Sequence, residues 1–294
     1  MENFLVQITF TLTNRTCELL ILMQTNSPND FLYETSRKIR LDILNVAGTS
    51  GGGHLGGTFS CVDILVNLYL NSKTGFKILD EGDGLQDRFI LSKGHACLAL
   101  YAILAFKNII SSSTFFSFGK NGGIGAQLDI NIPSVVWNTG SLGHSIGICA
   151  GMGQAFKSDN SPNKCITLIG DSELSEGANW EAIAYCKDKG IDNVIVIIDR
   201  NRLSVTERID NDAIYSGLDE KMKSYGWEFI EIDGHSHEEI SKSLVTAKLI
   251  KKPIMILANT VKGKGVKFME NNAIWHHKRP TLEQLQLARI QLNS

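Results

Sequence analysis

Two stretches decide how this chain folds: Gly170-Asp-Ser-Glu-Leu-Ser-Glu176 and Asn193-Val-Ile-Val-Ile-Ile-Asp199-Arg-Asn201-Arg-Leu203, with a helical run through Trp180 to Lys189 between them. Cys165 to Ile169 leads into the first, and Val194 to Ile198 lies within the second. Both are short, apolar and β-branched, as expected of parallel strands buried on both faces. Asp171 then stands at the end of one strand and Asn201 just past the end of the next. In a parallel sheet both positions lie at the carboxyl edge, where ligands bind.

The same alternation continues outward. Leu218 to Tyr225, Glu228 to Ile232, Glu238 to Ile250 and Pro253 to Asn259 read as helix, strand, helix, strand. Upstream, Ile39, Ile43, Leu44 and Ala47 fall on one helical face, with Gly48 placed as a stop. A glycine-rich turn is expected over Thr49 to Gly57, and an amphipathic helix over Cys61 to Leu70. Arg88-Phe-Ile-Leu-Ser-Lys-Gly-His95 reads as a strand running into a polar loop, with a helix after it. Ser111 to Asn138 lacks periodicity and predicts a long loop. Gly140 to Phe156 reads as a helix of small residues, suited to close backbone approach. With no repeat and no linker, the pattern predicts one doubly wound α/β domain over 31–294, a mostly parallel sheet with helices on both faces. Residues 1–30 are read as an extension, or as a start placed too early.

The bulk numbers exclude several classes. Twenty-nine basic and thirty-one acidic side chains give a net charge of −2 over 294 residues, so there is no electrostatic footprint for nucleic acid or an anionic membrane. Phe4 to Met23 is interrupted by Gln7, Thr9, Asn14, Arg15 and Glu18, far short of the roughly 20 apolar residues a span needs. The six cysteines, Cys17, Cys61, Cys97, Cys149, Cys165 and Cys186, contain no CxxC pair. They read as buried small residues in a reducing, cytoplasmic setting rather than as a disulfide framework or zinc site.

A hard cation bound to a diphosphate needs only a few protein oxygens. Asp171, the Asn201 carboxamide and the backbone oxygen of Leu203 can supply one of each kind, and a helix starting near Glu176 would direct its N-terminal amides at the phosphates. Taken alone, the pair carries little, because an Asp at such a place is as often a helix cap.

Other segments agree with it in order. The pattern GDSELSEGANWEA…DNVIVIIDRN resembles the thiamine diphosphate fingerprint of transketolases. Gly51-Gly-Gly-His54-Leu-Gly-Gly-Thr-Phe-Ser60, followed by Val62-Asp-Ile, is similar to that family's first histidine loop. Leu91-Ser-Lys-Gly-His95-Ala is similar to the second, and Thr139-Gly-Ser-Leu-Gly143 to the loop lying on the cofactor. Val261-Lys-Gly-Lys-Gly-Val-Lys-Phe-Met-Glu-Asn-Asn with Trp275-His276 resembles the end of the family's first domain. Together these cover roughly residues 35 to 280.

The resemblance implies the diphosphate-binding type of thiamine diphosphate fold and a two-carbon transfer between a ketose and an aldose. It implies Mg2+, or Ca2+ or Mn2+ in its place, held by Asp171, Asn201 and the Leu203 carbonyl. Gly170 belongs to the fingerprint, and His95, His276 and the Ser172 amide contact the diphosphate. His54 assists proton transfer on substrate hydroxyls, which with His95 and His276 makes the catalytic set. Gly140 and Leu142 touch the cofactor rings, and Glu176 and Glu181 face a partner. That partner is expected to be a separate C-terminal subunit carrying the pyrimidine-binding domain and the activating glutamate, in an α2β2 assembly. His144, His235, His237 and His277 are read as ordinary loop or core histidines, and the Trp180, Ile183, Ala184 stripe as core.

Three features depart from the family. Ser172 replaces the second glycine of the fingerprint. Gln127, in Gly125-Ala126-Gln127-Leu128, stands where a substrate-contacting histidine is usual, putting a neutral amide in place of a titratable group. The first histidine loop is longer by Gly51, Gly52 and Gly53. Two alternatives follow: a split thiamine diphosphate enzyme of specialised metabolism acting on another ketose or acyloin, and a non-catalytic scaffold chain. No GxGxxG opens a helix after the first strand, which excludes a nicotinamide-dependent dehydrogenase.

Overall fold

In the computed structural model, residues 28–49, 52–79, 86–204, 208–209 and 213–293 are described. Their five strands are β1 (Arg88–Leu91), β2 (Cys165–Gly170), β3 (Val194–Arg200), β4 (Glu228–Asp233) and β5 (Ile254–Asn259). They pair in the order β1-β2-β3-β5-β4, and every pairing is parallel. The central register sets Gly170 opposite Asp199 and Arg200 opposite Asn259, so the ends of three strands reach one line.

Strand alternation explains the two layers. On β3, Ile195 and Ile197 enter one core while Val194, Val196 and Ile198 enter the other. The first core is roofed by α1 (Pro28–Thr49), α2 (Leu55–Ser60), α3 (Val62–Leu70), α4 (Cys97–Phe106), α9 (His237–Leu249) and α10 (Leu282–Asn293). The second is covered by α6 (Ser145–Ser158), α7 (Gly177–Asp188) and α8 (Leu218–Ser224). Each fully buried Ile or Leu contributes about 1.5–3 kcal/mol. The chain is thus doubly wound, as the sequence predicts.

Several expectations need correction. The segment expected to be an amphipathic helix over Cys61 to Leu70 is buried on all sides from Val62 to Tyr69, because α1, α9 and α4 pack around it. The glycine-rich turn is shorter than expected: α2 begins at Leu55 and takes Gly56 and Gly57 into its first turn, while residues 50–51 lie outside the described residues. The small-residue helix starts at Ser145 rather than Gly140, since Gly140 (φ 145°) and Gly143 (φ 83°) hold backbone that no right-handed helix contains. The 111–138 segment is a loop carrying one short helix, α5 (Ser112–Phe116), and it packs Phe115, Phe118, Ile124, Leu128 and Val135 onto the first core. Helix α1 opens at Pro28, inside the expected extension; residues 1–27 lie outside the described ones.

The five cysteines among the described residues are free and buried. No helix among those residues is long and apolar enough to cross a membrane.

Candidate active site

The carboxyl ends of β1, β2, β3 and β5 converge on a buried set of charges. Asp199, facing the first core at the end of β3, pairs with the Lys93 ammonium from the β1 exit and accepts hydrogen bonds from Ser60 (2.6 Å) and Thr260. Lys93 is 1% exposed and Asp199 fully buried. Burial alone would push the Asp199 carboxyl up and the Lys93 amine down; their mutual attraction outweighs both, holding Asp199 below and Lys93 above the ordinary ranges.

Asp171 follows β2. Its Oδ1 accepts the Ser172 amide at 2.8 Å and its Oδ2 the Arg202 amide at 2.6 Å, which draws the β3 exit loop against the β2 exit. Burial and then the Asp199 charge raise its pKa, opposed by those two amides. Asn201 Oδ1 accepts the Leu203 amide at 3.2 Å, and the Leu203 carbonyl takes the Lys262 ammonium at 3.1 Å. The segment carrying Asn201 and Leu203 is therefore tied to Asp171, with the Lys262 cation already drawn to the Leu203 carbonyl. The expected diphosphate contact of the Ser172 amide is not free: the neighbouring carboxylate caps it at the start of a 3₁₀ turn, Ser172–Ser175. That turn separates Asp171 from α7, so the amides following Asp171 belong to the turn and not to the helix expected near Glu176. Glu176 and Glu181 are exposed.

Above this floor stand three histidines from three segments. His54 heads α2, His95 lies in the 3₁₀ turn that opens α4, and His276 ends the 3₁₀ turn Ala273–His276. The ring centroids of His54 lie 5.2 Å from both His95 and His276, and those two are 5.4 Å apart. Burial comes first in lowering all three: His54 to about 4, helped by His277 and Lys262, and His95 to about 2 and His276 to about 4, both helped by the Lys93 and Lys262 charges. All three are neutral near pH 7. The Lys262 amine, 3.2 Å from His276 Nδ1, is lowered to about 8 by burial and then by Lys93.

The loop expected to touch the cofactor rings closes the other side. Gly143 donates its amide to Glu173 at 3.0 Å, and Glu173 also accepts Gly170 N at 3.1 Å and the Ser92 hydroxyl. Gly94 lets the second histidine turn meet this loop: a methyl there would lie 2.5 Å from Thr139 Oγ1, 2.6 Å from Gln127 Oε1 and 2.9 Å from Gly140 N. Gly140 is exposed and Leu142 half-buried.

The donors fit an anionic ligand held through a hard cation. The Lys262 ammonium and three imidazoles gather at the carboxyl edge of the sheet, and the Asp171, Asn201 and Leu203 oxygens are of the hard kind that Mg2+ prefers. No group of three His, Cys, Asp or Glu capable of holding a metal occurs among the described residues, so a cation here would need amide, backbone and ligand oxygens as well.

Sequence reading missed Lys93, Asp199, Glu173 and Lys262, although Lys93 and Lys262 lie inside the motifs that carry His95 and Val261, each a lysine beside glycine at a strand exit. His277, expected to be an ordinary histidine, has its ring 4.8 Å from His54. His144 is exposed and bonded to Ser141 at 3.1 Å, while His235 and His237 are engaged in the first core.

A doubly wound parallel sheet with these groups at its carboxyl edge defines an α/β protein. The family described as "Transketolase, thiamine diphosphate binding domain" matches residues 31–292. Over 255 residues the chain is 34% identical to one subunit of the apulose-4-phosphate transketolase of Phocaeicola vulgatus, covering 86% of this chain and 90% of that one. It is 33% identical to a 6-deoxy-6-sulfo-D-fructose transketolase subunit of a Clostridium species, covering 89% and 96%. Among solved structures, transketolase of Campylobacter jejuni superposes with a TM-score of 0.78 at 28% identity, over 89% of this chain and 42% of that one. The chain likewise spans 40% of human transketolase, at 32% identity. The chain belongs to the transketolase family and is a transferase of that type.

Proposed function

We propose that this chain is the diphosphate-binding subunit of a two-subunit transketolase, with residues 31–294 as the binding unit and a separate C-terminal subunit completing the site in an α2β2 assembly. The relatives named as subunits, matched over 90% and 96% of their lengths, support the division. One observation carries the catalytic reading: the Asp171 carboxylate is tied to the Arg202 amide, between Asn201 and Leu203, and Lys262 links the Leu203 carbonyl to His276 in a triangle of three neutral histidines. The Asp171, Asn201 and Leu203 oxygens would hold Mg2+, and thiamine diphosphate, when bound, supplies the chemistry that breaks and remakes the carbon–carbon bond. The chain's own part is binding and proton handling. His95 and His276 offer N–H groups to phosphate oxygens, with the Lys262 charge beside them. His54, held neutral, has a ring nitrogen free to accept a proton from a substrate hydroxyl. The exposed Glu176 and Glu181 lie on the surface offered to the partner, and the free cysteines suit a reducing cytoplasm.

The test pairs the chain with its candidate partner, titrates thiamine diphosphate with and without Mg2+, and assays two-carbon transfer from a panel of ketose donors. Transfer that needs both chains and Mg2+, and disappears in Asp171→Ala, is the expected result. Absence of metal-dependent binding in the assembled pair would sink the proposal and leave a scaffold role.

Gln127 favours a second reading, a specialised ketose substrate. Its carboxamide oxygen lies over Gly94 and Gly140 at the lip of the cleft, a neutral group unable to carry a proton there. Cofactor binding without transfer from ordinary ketose phosphates would select it.

A further inference from the structure

We infer that Asp63 and His235 are positioning residues, which hold the Lys262 loop in register with the His54 helix through one buried relay. Asp63, on α3 and 3% exposed, accepts a two-pronged ion pair from Arg40, at 2.9 Å to Oδ1 and 2.7 Å to Oδ2. Arg40 also donates to the Phe59 carbonyl at 3.0 Å, in the helix that His54 heads. The same Asp63 Oδ2 lies 2.6 Å from His235 Nδ1. On the far side of that ring, His235 Nε2 is 2.8 Å from the Val261 amide nitrogen.

The Val261 amide can only donate, so Nε2 accepts and the ring proton sits on Nδ1, pointing at Asp63. Every group in the relay thus has a fixed direction. The Arg40 charge orients the carboxylate, the carboxylate fixes the tautomer, and the tautomer presents one acceptor to one backbone amide. That amide belongs to the residue before Lys262, whose ammonium bonds the Leu203 carbonyl, the Ser204 carbonyl (3.0 Å) and His276. The opposite side of the same turn is tied by Gly263 N to the Gly56 carbonyl at 2.9 Å, so both ends reach the first histidine loop. Removing water from an ion pair of this kind is costly, and it brings no stability that an apolar cluster could not match. What an apolar cluster lacks is a directed acceptor for Val261.

The inference uses the proposed function only where cofactor binding is read; its first arm concerns the folded chain alone. Hydrogen exchange of the full-length chain is followed in His235→Ala and His235→Gln, the latter having a carboxamide that offers N–H to Asp63 and oxygen to Val261. Binding of thiamine diphosphate with Mg2+ is titrated in parallel on each variant assembled with the candidate partner subunit. We expect His235→Ala to speed exchange across 260–265 at least tenfold and weaken binding at least fivefold, with β2 and β3 amides unchanged and both effects reversed by Gln. Unchanged exchange at 260–265, equal acceleration throughout the chain, or a Gln variant no better than Ala would overturn the inference. Should His235→Ala fail to fold, Asp63→Asn replaces it, with the same local acceleration expected. Expected exchange with no cofactor binding even in the unmodified chain assembled with its partner would uphold the positioning role and count against the proposed function instead.

Discussion

Asp171 reaches from the end of β2 to the exit of β3, where its Oδ2 takes the Arg202 amide at 2.6 Å. One carboxylate thereby closes the loop carrying Asn201 and Leu203 against its own strand. In Asp171→Ala the lost amide bonds and the relief of a buried charge act in opposite directions, each of about 1–3 kcal/mol. Metal-dependent cofactor affinity has no such compensation. The expected outcome is a melting temperature within about 5 °C of the parent and a fall of more than about a hundredfold in Mg2+-dependent binding, read by scanning and titration calorimetry.

The Lys93 and Asp199 pair lies wholly out of water. Either single replacement, Lys93→Met or Asp199→Leu, strands a buried charge and should cost about 3–5 kcal/mol. The double replacement removes both charges and should cost less than the sum of the two. Urea unfolding of the four proteins measures this coupling, and strict additivity would show that the two charges do not meet.

Gly94→Ala would drive a methyl to 2.9 Å from the Gly140 backbone nitrogen, which no side-chain rotation relieves. A stability loss of about 1–3 kcal/mol is expected, together with weaker cofactor binding, because the second histidine turn and the Gly140 loop are forced apart. Gly122→Ala serves as control: nothing lies within 4 Å of a methyl there, and the cost comes only from its φ of 72°.

His237 is fully buried and lowered to about 4 by burial. Its folded pKa lies below the unfolded 6.5, so its neutral form favours folding above pH 6.5 and that contribution is lost as pH falls toward 4. Acidification from 7 to 4 should destabilise the chain through this group by about 1–3 kcal/mol. A folded His237→Gln should show a shallower slope of stability against pH in that window; an unchanged slope would refute the assignment.

Much of this was readable from local pattern. The runs at Cys165 and Val194 announce strands because both their faces are apolar, and Asp171 and Asn201 stand out because each is a polar residue just past the end of such a run. The partners of Asp199 were not legible. Ser60, Lys93 and Thr260 come from distant parts of the chain, and only the parallel register brings them together. The onset of α6 was misread because glycine spacing looks the same whether the backbone is helical or left-handed. The enclosure of α3 was missed since its polar positions, Asp63 and Asn67, turn inward to bond Arg40, His235 and His237.

Glu173 receives the Ser92 hydroxyl, the Gly143 amide and the Gly170 amide, one from each of three separate strand exits or loops. The loop at Gly143 cannot swing away without leaving a carboxylate in a dry interior short of a donor. That wall of the cleft is consequently set before any ligand arrives. An incoming cofactor meets it already ordered, so its binding energy is not drained by freezing a mobile loop at that side.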